Sequence, residues 1–314
     1  MTAHHHPSSI LFEIIICKLF SGRYKPLFEL LMNLKLHYPA ILLSIIMIVA
    51  FATDAKAQTP TQNYGAHIIS GNHSYGHSED KPFAMHSVMK FPQALYVAEY
   101  LCTNGLSLGD SILVVKDSLD ANTWSPMLAT FHGERHFSYA ELLQWSLSQS
   151  DNNACDILFK ACGSPHEVEK YIDSLGFNNI HIRLTEKEMR QNPQRAIENS
   201  STPSDMTRLL EWFYRHKNDN ACLTFVWQTM AECNTGSNRI AAAAPQNSIF
   251  IHKTGSGFPS PDGLQDRNDV GIIILPDNRH IAIAVFASNS KSENDVADIA
   301  RQCMSHLPSD VTTE

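Results

Sequence analysis

The chain has 314 residues, 43% of them hydrophobic and 18% charged, with a formal net charge of −8. This is the profile of a globular protein of one or two domains, long enough to bury a sizeable core. The acidic balance argues against a nucleic-acid binder, which would carry a basic stripe.

The N-terminus does not read as fold material. From Met32 the chain runs Asn33-Leu34-Lys35, a mostly apolar stretch from Ala40 to Ala52, then Ala55-Lys56-Ala57. A basic start, a short apolar core and an A-x-A site make a secretory signal peptide cleaved after Ala57. The apolar stretch falls short of the roughly 20 residues that span a bilayer, a retained anchor being the alternative. Residues 1–31 lie upstream of a complete signal, so Met32 is a possible start. Cleavage removes five basic and three acidic side chains and leaves 19 basic against 29 acidic ones. Six of the seven cysteines follow the cleavage point: Cys102, Cys155, Cys162, Cys222, Cys233 and Cys303. None makes a C-x-x-C pair, so a zinc ribbon or redox motif is not expected; partial pairing and buried free thiols both remain open. The histidines form no metal-binding pattern, and His73 and His77, in a Gly- and Ser-rich turn region, are expected at the surface.

In chain order, Tyr64–Ser70 reads as a strand and Gly71-Asn72 as the turn of a hairpin. Ser87 and Lys90 stand one turn apart at the head of the amphipathic run Gln93–Leu101, expected to be a helix ending near Gly105. A nearby lysine can take the proton of a serine hydroxyl, and a helix N-terminus offers N–H groups to an oxyanion. Taken alone, Ser87 reads as an N-cap. A connecting region carries Trp124-Ser125-Pro126-Met127. Helices are expected over 139–149, 154–162, stopping at Gly163, and 165–175. Residues 183–203 are charged and amide-rich with little periodicity, a length of irregular chain that is usually functional. Further helices are expected over 206–215 and 223–233, then strands over 248–254, 269–275 and 280–287, and a last helix over 293–306. Helices fill the middle and strands gather at both ends. The fold class is therefore α+β: an antiparallel sheet of N- and C-terminal strands packed on a mainly helical block.

Ser150-Asp151-Asn152 falls at a junction between helices. Lys253-Thr254-Gly255-Ser256-Gly257 ends a strand, where the glycines permit close backbone approach to a ligand. S-x-x-K, S-D-N and K-T-G occur together in class A β-lactamases and penicillin-binding proteins. With all three in order, the chain resembles a class A serine β-lactamase. Trp124–Met127, Gln149–Ala154, Glu232–Gly236 and Arg239-Ile240-Ala241 resemble the Bacteroidetes branch that includes extended-spectrum cephalosporinases, over roughly residues 64–306.

The resemblance implies hydrolysis of the β-lactam amide of penicillins and cephalosporins through an acyl-serine, conferring antibiotic resistance. Ser87 is then the nucleophile and Lys90 a base in its activation. The N–H groups of Ser87 and Ser256 form the oxyanion hole, and Ser150 passes a proton to the leaving nitrogen with Lys253 beside it. Asn152 holds the acylamido side chain, while Asp151 is structural. Lys253, Thr254 and Ser256, joined by Arg239, bind the substrate carboxylate. Trp124 lines the entrance, a buried core tryptophan being the alternative. Glu186 aligns with the deacylating base, and Glu188 is the runner-up. Where the family usually has proline and asparagine after that glutamate, this chain has Lys187 and Arg190, which leaves the water-holding partner open. The domain expectation is a signal peptide over 1–57 and one β-lactamase-like catalytic domain over 58–314. Its α/β part is 58–86 plus 235–314, and its helical part is 87–234. The stretch 58–86 has room for a hairpin but hardly for a preceding helix. No cofactor or metal is implied; the partner is a small β-lactam, with neither nucleic acid nor, after cleavage, membrane. A periplasmic monomer is expected. Within the same fold, the alternatives are a D-alanyl-D-alanine peptidase and a penicillin-binding sensor that stays acylated. A damaged paralogue is a further reading.

Overall fold

The computed structural model describes residues 63–308. The expected signal peptide, the Met32 start and any helix ahead of the first strand lie outside these residues.

Strands β1 (Tyr64–Ser70), β2 (His73–His77), β8 (Ile249–Ser256), β9 (Gln265–Ile274) and β10 (His280–Ser290) form one antiparallel sheet in the order β2-β1-β10-β9-β8. The central strand β10 shows why the sheet needs cover on both faces. Its apolar run from Ile281 to Ala287 is buried throughout, and strand alternation sends neighbours to opposite sides. Ala282, Ala284 and Phe286 join the core of the helical block. Ile281, Ile283 and Val285 join Val296 and Ile299 of the terminal helix α8 (Asn294–Met304). The two ends of the chain thus meet in one sheet, as the strand pattern predicts.

The helical block contains α1 (Lys90–Thr103), α2 (Tyr139–Ser148), α3 (Asn152–Cys162), α4 (Pro165–Ser174), α5 (Glu186–Gln191), α6 (Pro203–His216) and α7 (Ala221–Ala231). Side-chain caps define several starts. Ser138 and Glu141 form a capping box on α2, Asp151 accepts the Ala154 N–H on α3, and Thr202 accepts that of Asp205 on α6. Each such cap contributes about 1 kcal/mol.

The helical part is less purely helical than its periodicity suggests. Strands β4 (Ser111–Val115) and β5 (Glu134–Ser138) pair as a small ribbon, and β3 (Phe83–Ala84), β6 (Ile180–His181) and β7 (Ser200–Ser201) make another small sheet. Two-residue strands carry no readable alternation, and β5 is mostly exposed, so neither sheet shows in the sequence. His73 and His77 also belong to a strand rather than a turn, although both are exposed.

Residues 183–203 are more ordered than their composition implies. They contain α5, a 3-10 turn over Pro193–Glu198 and β7. Buried Asn199 closes the neck of this segment. Its Oδ1 accepts the N–H groups of Arg183 and Leu184 at 2.8 and 2.9 Å, and its Nδ2 donates to the Leu184 carbonyl at 2.8 Å. Hydrogen bonds to one side chain do here what periodic packing does elsewhere.

Candidate active site

Ser87 lies in a 3-10 turn, His86–Met89, that leads directly into α1. The turn is seated against β8. A Cβ on Gly255 would come within 2.4 Å of the Met85 carbonyl oxygen. At the K-T-G glycine the close approach is made by the Ser87-bearing turn. Alternation explains it: Gly255 faces the protein while Thr254 and Ser256 face the other way. His86 and Ser150 have positive φ angles of 50° and 57°. Such backbone costs non-glycine residues about 1 kcal/mol or more and persists only where surrounding contacts fix it.

The Ser87 hydroxyl is 2.9 Å from Glu186 Oε1 and accepts from Lys90 Nζ at 2.9 Å, while Lys90 and Glu186 form an ion pair at 2.8 Å. Lys90 is fully buried. It also donates to the Ser150 carbonyl at 2.9 Å and to Asn152 Oδ1 at 2.7 Å. Burial alone would raise the Glu186 pKa. The charge and hydrogen bond of Lys90, then the Ser87 hydroxyl, outweigh it and leave the carboxyl below its ordinary value. Glu186 is thus a carboxylate held against the serine. Its backbone is fixed by Asp156, which accepts the N–H groups of Glu186 and Lys187 at 2.8 and 3.0 Å. Burial and the nearby Glu186 charge push Asp156 itself up to about 7. The runner-up, Glu188, turns back to close the helix cap with Thr185 and does not reach the serine turn.

The second wall is the edge of β8. Lys253, fully buried, donates to Ser150 Oγ at 2.8 Å and to the Thr254 carbonyl at 2.8 Å. Burial, and then the Lys90 charge, pull its pKa down to about 7. Arg239 is buried as well, and all five of its N–H donors are engaged: Glu293 at 2.7 and 2.8 Å, the Gly255 and Asn268 carbonyls, and Ser256 Oγ at 2.6 Å. Its reach into the cleft passes through Ser256. Asp151 is completely buried and accepts from Ser125 Oγ and from the Met127 and Ala154 N–H groups, an arrangement that fastens the turn. Trp124 is 63% exposed at the rim, with its indole N–H on the Gln149 carbonyl, which excludes the core alternative.

These walls enclose a cavity of about 480 Å³ lined by Ser87, Trp124, Ser150, Asn152, Glu186, Thr254, Ser256 and Arg239 among others. Every expected site residue lies on it except the fully buried pair Lys90 and Lys253, which act from beneath. Arg190, where the family usually has asparagine, also lines it and is paired with Asp120. The sequence reading missed Asp156, Glu293 and Thr235. Thr235 stands in a quoted run without a role, and Asp156 and Glu293 belong to no motif. Among the described residues, no group of three or more His, Cys, Asp or Glu side chains could hold a metal.

A model of the β-lactamase enzyme family matches residues 49–307. The chain is 35% identical over 232 residues to the β-lactamase VEB-1 of Pseudomonas aeruginosa, covering 71% of this chain and 78% of that protein. Its fold matches the crystal structure of TLA-3 extended-spectrum β-lactamase with a TM-score of 0.76 and 31% identity, over 83% of this chain and 98% of that one. A class A β-lactamase representative from Bacteroides cellulosilyticus matches with a TM-score of 0.76 and 28% identity, over 85% and 98% of the two chains.

Proposed function

The chain belongs to the β-lactamase enzyme family, as a class A serine enzyme, and on that premise we propose how its residues divide the work and which substrates it takes. A serine β-lactamase opens the β-lactam amide and so confers resistance to the antibiotic. The observation that carries the assignment of roles is the triangle of Ser87, Lys90 and Glu186, with all three sides between 2.8 and 2.9 Å.

Ser87 attacks the lactam carbonyl, and its proton leaves into the Lys90–Glu186 pair. Lys90 acts as base after passing a proton to Glu186, so the two share that role. The developing oxyanion is met by the N–H groups of Ser87 and Ser256. Ser150 delivers a proton to the leaving nitrogen and regains one from Lys90, which carries the Ser87 proton 3.5 Å from its hydroxyl, while Lys253 donates to Ser150 Oγ and holds it in place. Glu186 returns its proton to the now neutral Lys90 and, as a carboxylate again, activates water against the ester. Asn152 positions the acyl side chain, Trp124 lines the entrance, and Lys253, Thr254 and Ser256 receive the substrate carboxylate, with Arg239 holding Ser256. Penicillins and cephalosporins are the substrates. A second cavity of about 430 Å³ shares His86 and Phe258 with the first and offers room for an acyl side chain beyond it. The working form is an exported, periplasmic monomer comprising one domain from Gln58 onward.

The test is turnover of a chromogenic cephalosporin beside Ser87→Ala and Glu186→Gln. Expected are hydrolysis by the parent, none by the serine variant, and a stalled acyl-enzyme mass with about thousandfold slower turnover in the glutamate variant. A parent that itself stalls as the acyl adduct would move the assignment to a peptidase or sensor.

A further inference from the structure

The residue ahead of the nucleophile is tied to the sheet that faces it. His86 is buried, its backbone is held at φ 50°, and its Nε2 lies 3.0 Å from Asp266 Oδ2 on β9. The other carboxylate oxygen of Asp266 accepts the Asn289 N–H at 3.0 Å. The backbone carbonyl of Asp266 accepts the Gly257 N–H at 2.9 Å. A Cβ on Gly257 would come within 2.9 Å of His86 Nε2 and 3.1 Å of Asp266 Cβ, so imidazole and carboxylate meet over a residue that has no side chain. The assigned mechanism gives neither His86 nor Asp266 a part.

The charge on Asp266 sets the direction of the bond. Burial alone would raise its pKa, but the hydrogen bonds from His86 and from the Asn289 N–H outweigh it and keep the carboxyl below its ordinary value. An ionised carboxylate only accepts, so His86 Nε2 carries the hydrogen. The bond is charge-assisted and joins residues 180 positions apart. Gly257 and Asp266 lie just beyond the ladder pair Ser256–Arg267. In an antiparallel ladder, hydrogen-bonded pairs alternate with pairs that are not. The bond at Gly257 therefore leaves the Ser256 N–H pointing off the sheet, of which β8 is the outermost strand.

Asp266 thus grips the neighbours of both N–H groups assigned to the oxyanion. Through its side chain it holds His86, whose carbonyl carbon shares a peptide with the Ser87 N–H. Through its backbone it holds Gly257, the residue after Ser256. The ends of the serine turn have other supports: the Met85 N–H donates to the Asn199 carbonyl at 2.8 Å, and the Met85 carbonyl accepts from Asn268 Nδ2 at 3.2 Å and from the Val88 N–H at 3.1 Å. His86 stands between those supports in a left-handed backbone conformation, which persists at a residue with a Cβ only where its surroundings fix it. The bond from its ring to Asp266 supplies that fixation.

We propose that His86 and Asp266 are positioning residues for the oxyanion hole: the carboxylate holds the imidazole, and with it the His86–Ser87 peptide, at the spacing from Ser256 that the acylation transition state requires. This rests on the reading that Ser87 and Ser256 supply the two N–H donors. Neither side chain transfers a proton in this role, and both act through the backbone. A donor slightly out of place still bonds a ground-state carbonyl but gives up strength where charge develops, so the effect falls on the chemical step.

The test follows single-turnover acylation by a chromogenic cephalosporin. Beside it, the infrared band of the isotope-labelled acyl-enzyme carbonyl is recorded in the Glu186→Gln background, where the adduct accumulates. Asp266→Ala and His86→Ala are each expected to slow acylation about ten- to hundredfold, less than removal of a donor would, and to move the carbonyl band to higher frequency as its hydrogen bonds weaken. His86→Gln keeps an N–H donor for the carboxylate and is expected to restore the parental band and a rate within about threefold of the parent. Parental acylation in the alanine variants overturns the proposal. Slower acylation with an unshifted band also overturns it, because the pair would then only brace the fold. The two alanine variants break one bond from opposite ends, so the test stands if one of them fails to fold. A parental band no lower than that of a free ester in water overturns the oxyanion reading itself, and a parent that never acylates overturns the functional assignment.

Discussion

The two walls of the cleft handle charge in opposite ways. On the helical side, the buried Lys90 ammonium is matched by the Glu186 carboxylate at 2.8 Å and surrounded by acceptors from Ser87, Ser150 and Asn152. On the sheet side, among the described residues, Lys253 makes no ion pair, and Glu293 pairs with Arg239 at 2.7 Å and with Arg267 at 3.7 Å. Removing an ion from water costs several kcal/mol, so compensation within the protein is the rule for buried charge. The helical wall obeys it. The other leaves Lys253 without an ion-pair partner, and burial, then the Lys90 charge, pull its pKa down. In the proposed assignment a substrate carboxylate supplies what is missing, so that chemistry and binding are separated by which side of the cleft is complete before the substrate arrives.

Lys90→Ala breaks the complete side. It leaves the Glu186 carboxylate buried without its partner and removes the proton carrier, so acylation should slow about a thousandfold. Stopped-flow mass measurement of the acyl adduct checks this, and acylation at the parental rate would show that Glu186 alone serves as base. Asn199→Ala asks how the same wall is held. Two buried N–H groups, those of Arg183 and Leu184, lose their acceptor, for a loss of about 2 kcal/mol in stability by thermal or urea unfolding. Unfolding at the parental midpoint would mean that the segment is fixed by α5 packing instead. The incomplete side is sharpened by pH. As pH rises through about 7, Lys253 changes from ammonium to neutral amine, the attraction for a carboxylate weakens, and KM for an anionic substrate should climb about tenfold across that range. A KM flat over the same interval would place the Lys253 pKa elsewhere.

Much of this was legible in the chain because it is local. Ser87 and Lys90 are three residues apart on one turn, Ser150 and Asn152 flank a helix start, and Lys253, Thr254 and Ser256 share one strand. Each motif is a piece of backbone whose geometry its own residues set. Glu186 needed the family resemblance, since its segment lacks periodicity and draws its order from Asn199 and Asp156.

What remained hidden depends on distant pairs. Asp156 meets Glu186 across 30 positions and Glu293 meets Arg239 across 54. Cys233 reaches Thr254 through Thr235 only after β8 has been laid against the loop that follows α7. The order of elements and the three catalytic motifs were determined by the sequence itself, because hydrophobic period and turn chemistry act over a few residues. Which charges are compensated, and which side chains the β8 wall meets, was decided by the tertiary structure alone. Those properties belong to contacts between side chains that chain order does not bring together.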